Sequence, residues 1–182
     1  MERSNLIPFL RTDLDILFVG LNPAKGSSDN GHYFSVKQSF WNQLYNSGLI
    51  TQYLDKSNAD DLVFGSKYFN YGNWNFGITD LVTEFAESNS RKIKPTIKDY
   101  QRLENTIREY KPLTVVLLHG IVLNGFLKYL HLNAQPSNTG VLGRLLEGIP
   151  TIFFNVAFPH GNSIPDLDKI EMYNQLKKFI EK

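Results

Sequence analysis

Short apolar runs recur along the chain, each ended by Gly, Pro or Asn, and between them apolar positions fall at helical spacing. Ile16 to Val19 is continuous, rich in β-branched residues and too short for a helix. It predicts a buried strand over about 15–20. Leu113 to Leu118 is a second such run, Thr151 to Asn155 a third, and Ile78 to Val82 a short strand or extended piece. Helical spacing predicts a helix over 38–48, with Phe40, Trp41, Leu44 and Tyr45 on one face and Gly48 as the cap. Further helices are expected over 97–110 with Thr96 as N-cap, over Ile121 to Leu130 after a turn at Gly120, and over Leu167 to Ile180. Residues 50–76 are ambiguous; they read as one helix near 51–63 and then an aromatic, glycine-rich turn. Residues 84–95 read as a polar loop. The alternation of strands and helices argues a three-layer α/β/α fold with a central, mostly parallel β-sheet. With no internal repeat, low-complexity tract or linker, residues 1–182 read as a single domain.

The sharpest local signal is the end of the first strand. The apolar run stops at Gly20-Leu21-Asn22-Pro23 and passes into a small, polar loop reaching to Lys37. Strand ends in parallel α/β sheets are where sites are built, and loops this long inside compact domains are usually functional or disordered. Asn22 can offer one carbonyl acceptor and two N–H donors. Pro23 removes a backbone donor and restricts Asn22 to extended or turn geometry.

Composition narrows the chemistry. The 182 residues are enough for a substantial core, with 42% hydrophobic and 20% charged residues, as in ordinary globular proteins. Aromatics reach 13%, enough for both an aromatic core and rings that stack on a planar ligand. The net charge of +1 does not announce a nucleic-acid binder, though a local basic patch would suffice. Without cysteine, thiol catalysis, disulfides and Cys-ligated metals are excluded. The four histidines, 32, 119, 131 and 160, show no metal-binding spacing, so a metal site has little support. No apolar run approaches a membrane span and the first residues carry no signal-peptide core, so a cytoplasmic protein is expected.

The ordered motifs resemble the uracil-DNA glycosylase superfamily, and within it the mismatch-specific uracil/thymine-DNA glycosylase branch. Gly20-Leu21-Asn22-Pro23 is similar to that branch's Gly-Ile/Leu-Asn-Pro motif. Gly31-His32-Tyr33 and Phe40-Trp41 are similar to its downstream aromatic positions, with a one-residue gap. Gly77-Ile78-Thr79-Asp80-Leu81-Val82 resembles a second block, and Tyr110-Lys111-Pro112 before an apolar strand a third. Phe158-Pro159-His160-Gly161 stands where the branch has Asn-Pro-Ser-Gly or Met-Pro-Ser-Ser. Other branches place His before the Pro, so His and the aromatic look exchanged here.

The resemblance implies a uracil-DNA glycosylase-like fold and roles for individual residues. Asn22 would orient the attacking water. An amide is no strong base, but it can position water against a sugar that already carries positive charge. Phe34 or its neighbour Tyr33 would stack on a flipped base, worth ~1–3 kcal/mol. Gly20, Leu21 and Pro23 would complete the base pocket, with backbone N–H groups near Leu21 and Phe34 reading the base carbonyls. Residues Phe158, Pro159, Gly161, Asn162 and Ser163 would enter the duplex. Phe158 would be either wedge or core anchor. His160 would contact a phosphate, or hydrogen-bond the base and stabilise the departing anion. Lys25 and Ser27, with Lys37 and the Arg91, Lys92 and Lys94 cluster, would meet phosphates, although such a cluster is usually just a solvated loop. Asp80 is a second polar candidate, and His119 sits at the carboxyl edge of the sheet.

The implied activity is a monofunctional DNA N-glycosylase that needs no metal or cofactor and acts on double-stranded, or single-stranded, DNA as a monomer. Two other classes stay open: a nucleic-acid-binding relative without the chemistry, and a nucleoside-type small-molecule hydrolase. Fold alone does not separate them.

Overall fold

The computed structural model describes residues 2–181. Its centre is a five-stranded sheet in the order β3-β2-β5-β7-β6. The strands are β2 (Ile16–Gly20), β3 (Phe76–Asp80), β5 (Thr114–Leu117), β6 (Gly140–Gly143) and β7 (Ile152–Asn155). All pairings are parallel except β6 against β7. Side chains alternate across each strand. Ile16, Phe18, Val116 and Phe154 therefore enter one apolar layer, and Leu17, Val19, Val115 and Phe153 the other. The first layer is closed by α2 (Ser39–Asn46), α3 (Ala59–Val63) and α6 (Asp166–Ile180) through Phe40, Trp41, Leu44, Val63, Tyr173 and Leu176. The second is closed by α4 (Ile97–Tyr110) and α5 (Gly120–Tyr129) through Leu103, Ile107, Val122 and Phe126. The architecture is the expected three-layer α/β/α sandwich.

Local signals explain most boundaries. Helix α4 begins at Thr96, whose backbone N–H donates to Asp99 Oδ2 at 2.6 Å in a capping box. Gly48, with φ 72, takes the left-handed turn that leaves α2. Helix α6 carries Asp166 and Asp168 in its first turn and Lys177 and Lys178 in its last, matching the helix dipole.

Several expectations are corrected. The helix expected near 51–63 is only α3. Its first half is a run of bends and a turn, tied down where Thr51 N–H donates to the Phe69 carbonyl at 2.8 Å. The Asn70 amide then takes the carbonyls of Val63, Ser66 and Trp74. The strand expected at 78–82 runs two residues earlier, although Leu81 and Val82 still donate to the Gly20 and Leu21 carbonyls. The loop from Asn22 to Lys37 contains a short helix, α1 (Lys25–Asn30), closed by left-handed Gly31. The polar segment 84–95 holds β4 (Phe85–Ala86), paired with β1 (Glu2–Arg3), and a single 3-10 turn at Ser90–Lys92. The antiparallel strand β6 has only a glycine-bounded, half-exposed pattern in the sequence. Tyr45 leaves the apolar face expected of α2: it is 42% exposed and meets Tyr53 edge-on. Among the described residues no helix is long and apolar enough to cross a membrane.

Candidate functional site

The chain moves from β2 outward to β3 on one side and, later, to β5 on the other. Their carboxyl ends therefore diverge around a crevice, the usual ligand position in open α/β sheets. A cleft of about 1020 Å³ opens there. That is at the upper end of small-ligand sites, about 300–1,000 Å³, and exceeds what one nucleobase fills. Most of the residues singled out from the sequence line it, while Lys25, Pro159 and the Arg91, Lys92 and Lys94 cluster do not.

Asn22 stands at the end of β2 with its amide fully oriented. Nδ2 donates to the carbonyls of Pro23 and Glu87, both at 2.8 Å. Both N–H groups are thereby used, and a ligand meets only the carbonyl oxygen Oδ1 as an acceptor. The sequence motif supplies Asn22 and Pro23, but the second carbonyl comes from the segment after β4, which sequence reading left as a polar loop. The Glu87 side chain also lines the cleft. An N–H bond from Asn89 at 2.9 Å and nearby Lys92 and Lys25 hold its carboxyl below the usual range, so it stays ionised and weakly basic.

Tyr33 and Phe34 form the next wall. Tyr33 is 5% exposed and Phe34 half-buried. Phe34 has φ 51, a costly conformation for an aromatic residue, held by surrounding structure. Its carbonyl accepts from Trp41 Nε1 at 3.2 Å, and its ring lies stacked on Phe40 with centroids 4.1 Å apart. The preceding residues are bracketed by buried Asp60, whose oxygens accept from Tyr33 N at 2.8 Å, from His32 Nδ1 at 2.9 Å and from Asp61 N at 3.0 Å. His32, Asp60 and Asp61 bring ligand-type atoms within 4.8 Å of one another. The Asp60 oxygens are already committed to this bracket.

The third wall is the loop after β7. Phe158 is half-buried in an aromatic group with Phe34, His119 and His160, at centroid distances of 6.2, 5.5 and 5.0 Å. It packs against the core rather than at the loop tip. The exposed tip is Gly161-Asn162-Ser163, turned by Gly161 at φ 75 and stitched by Asn162 Nδ2 to the Phe158 carbonyl at 2.7 Å. Pro159, expected to meet DNA, is buried; its carbonyl accepts from Gln43 Nε2 at 2.9 Å and Lys169 Nζ at 3.2 Å. It is the hinge pin of the loop. His160 is kept neutral by burial, helped by the cations Lys37 and Lys169, and its buried Nδ1 has no partner.

Of the basic residues, Lys37 is exposed and lines the cleft. Lys25 sits at the start of α1, its backbone N–H donating to Ser88 Oγ at 3.2 Å. Arg91 and Lys92 stand exposed on the 3-10 turn, with Lys92 3.7 Å from Glu87. Lys25, Arg91 and Lys92 are not among the residues that line the cleft.

Two lining residues carried little weight in the sequence. His119 caps α5: its Nδ1 accepts from Ile121 N at 3.0 Å, which leaves the other ring nitrogen as the N–H donor. Burial lowers its pKa, so it too is neutral. Asp80 closes β3 directly beside Gly20. A Cβ at Gly20 would collide with Asp80 Oδ1, which gives the first glycine of the motif its reason. Burial pushes the Asp80 carboxyl up to about 7. The signal for it was available: a lone Asp ending an otherwise apolar strand block.

A family model described as the uracil DNA glycosylase superfamily matches residues 7–164. Compared with curated proteins, the chain finds no significant match.

Proposed function

Because the chain belongs to the uracil-DNA glycosylase superfamily, we propose that it is a monofunctional DNA glycosylase. It flips uracil or a related deaminated or mismatched base into the cleft, hydrolyses the N-glycosidic bond and leaves an abasic site. The observation that carries this reading is the Asn22 amide, fixed by two backbone carbonyls so that Oδ1 alone can accept from a water molecule.

The rest of the cleft supports a dissociative reaction. Burial weakens His119 and His160 as bases, His119 Nδ1 is already taken by Ile121 N, and Glu87 is a weak base. No side chain named here is suited to deprotonate water strongly before attack. Water held by Asn22 would add after the sugar has gained positive charge, when little basicity is needed. Phe34, backed by Phe40, offers the stacking platform for the flipped base. Tyr33 belongs to the wall behind it. The exposed tip Gly161-Asn162-Ser163 is the part of the loop placed to enter the duplex, with Phe158 as its inner anchor. Among the described lining residues the only amine is Lys37, exposed at the rim, so a Schiff-base nucleophile and strand nicking are not part of the reading.

The test is base release from labelled oligonucleotides carrying uracil, thymine, hypoxanthine or xanthine, opposite G or A and single-stranded. Alkaline cleavage reveals abasic sites. Wild type should release one or more bases, and Asn22→Ala should slow release by roughly 10²–10³-fold, the scale of losing one preorganised polar group. DNA binding with no release from any substrate would assign the fold to a non-catalytic binding protein.

A further inference from the structure

The deepest polar group of the cleft has no part in the reaction as described so far. Asp80 is 5% exposed, lines the cleft, and its Oδ2 has no hydrogen-bond partner. Buried carboxylates are normally paired, since an isolated charge is costly to bury. The nearest cation does not pair with it: Arg102 Nη2 is spent on the backbone carbonyls of Asp80 and Leu81, at 2.6 and 2.7 Å. On the β2 side the carboxyl faces Gly20, which has no side chain to offer. From the segment before α2 it meets the field of Tyr33, and from α4 that of Arg102. Across the cleft stand the neutral imidazoles of His119 and His160, and at the Asn22 side the ionised Glu87. An acid so placed is cheapest to bury with its proton on, and then it needs an acceptor that the protein does not provide.

We propose that Asp80 is the general acid of the reaction, holding its proton in the empty cleft and giving it to the departing base. This rests on the glycosylase reading above. The C1′–N bond breaks and its electron pair goes to the base. The Asp80 O–H bond breaks and its proton passes to the base, so the leaving group departs neutral. The water at Asn22 forms the C1′–O bond and loses a proton to solvent, and the Asp80 carboxylate takes a proton back from solvent. One water is consumed and no other reactant is needed. The alternative donor, His160, is less suited, because Lys37 and Lys169 both oppose its protonated form. An ionised Asp80 would repel the anion that the reaction creates. With burial raising it to about 7, the acid is matched to neutral pH, where general acids are most effective.

The experiment is the single-turnover rate of uracil release from a duplex with uracil opposite G, from about pH 5.5 to about 9, for wild type and Asp80→Asn. The amide fills the same space and removes a buried ionisable group, so folding is preserved; a melting curve verifies it. Wild type should lose about tenfold in rate per pH unit above about 7. Asp80→Asn should be about 10²–10⁴-fold slower, with no such fall and unchanged duplex affinity. Equal rates and slopes in the two proteins would overturn the acid role alone. A wild type that releases no base would remove the glycosylase assignment and the acid role together. Independently, the Asp80 carboxyl carbon must titrate near neutral pH by NMR; titration in the ordinary carboxylate range would overturn the proposal whatever the rates.

Discussion

The floor of the cleft and its outer loop are built in different ways. On the floor, Gly20, Asn22 and Asp80 are placed by the sheet itself: Gly20 and Asp80 are register partners on adjacent parallel strands, and Asn22 follows two residues later. The side-chain hydrogen bonds they make go to backbone carbonyls, from Asn22, while Asp80 Oδ2 makes none. In the loop 157–164, position comes from distant side chains. Gln43 reaches Pro159 from 116 residues away, Lys169 reaches it from α6, and Asn138 Oδ1 holds Ala157 N at 3.0 Å. Asn138 is itself fastened, its backbone N–H donating to Oδ1 of the buried Asn155 at 2.7 Å. A site whose chemistry sits on the rigid part and whose grip sits on the anchored part should let the two be changed separately. Floor variants should alter rate without altering DNA affinity, and loop variants the reverse.

The largest expected effect concerns the floor and is thermodynamic. The folded-state value for Asp80 is raised to about 7, against about 3.9 for an unfolded Asp. The folded state thus keeps a proton that the unfolded state gives up. The stability this contributes is fully present below about pH 4 and is lost as pH rises to about 7. The loss reaches about 4 kcal/mol at most. Asp80→Asn should therefore melt with much less pH dependence than wild type between about pH 5 and 8. Parallel melting curves for the two proteins would show that Asp80 is not strained, and the floor would lose its distinctive character.

Next in size is Phe34→Ala. Its ring faces the cleft from a strained backbone and is backed by Phe40. Removal of a base-stacking ring costs ~1–3 kcal/mol, or up to about a hundredfold in rate for a flipped base. Duplex affinity without a damaged base should hold, because the ring contributes only after flipping. Equal losses on damaged and undamaged duplex would move Phe34 from the floor's behaviour to the loop's.

The same contrast explains what the sequence made legible. The three-layer fold, most helices and the cleft position follow from apolar runs and strand-end motifs, where neighbours in sequence are neighbours in space. Gly20 to Pro23 were readable for that reason. Pro159 was misjudged because its burial depends on Gln43 and Lys169, which carry no mark of the partnership along the chain. Strand β6 and the β1–β4 pair were invisible because their pairing partners, not their own patterns, define them. Phe158 was left between wedge and anchor because that choice depends on the rings of Phe34 and His119, brought from separate elements. Phe34 and Tyr33 look alike along the chain, and only the positive φ at Phe34 and the Asp60 bracket on Tyr33 N give them different settings, one half-buried and the other buried.

On the loop side, Gln43→Leu combined with Lys169→Met strips both donors from the Pro159 carbonyl. An unsatisfied buried carbonyl costs ~1–3 kcal/mol, part of it recovered because a buried cation is replaced by a well-packed apolar chain. Stability should fall modestly, while affinity for undamaged duplex should weaken about tenfold as the tip loses its fixed position. The rate of base release at saturating enzyme should stay within about threefold of wild type, since ordering the tip is a binding cost. A collapse of rate with unchanged affinity would mean that the loop, through Phe158 and His160, belongs to the chemistry and that the division between floor and loop is wrong.

The smallest effect is the most specific to grip. Lys37 is exposed at the cleft rim beside the loop, with no ion pair among the described residues. A lysine that neutralises one phosphate contributes about 0.9 to the slope of log affinity against log salt on duplex DNA. Lys37→Ala should flatten that slope by about this amount on damaged and undamaged duplex alike, leaving single-turnover release unchanged at saturation. The same substitution removes one of the two cations that oppose protonation of His160. If His160 rather than Asp80 supplied the proton, Lys37→Ala would speed release on the alkaline side instead of merely loosening binding. An unchanged alkaline limb, together with a flatter salt slope, keeps Lys37 with the grip and the proton with the floor.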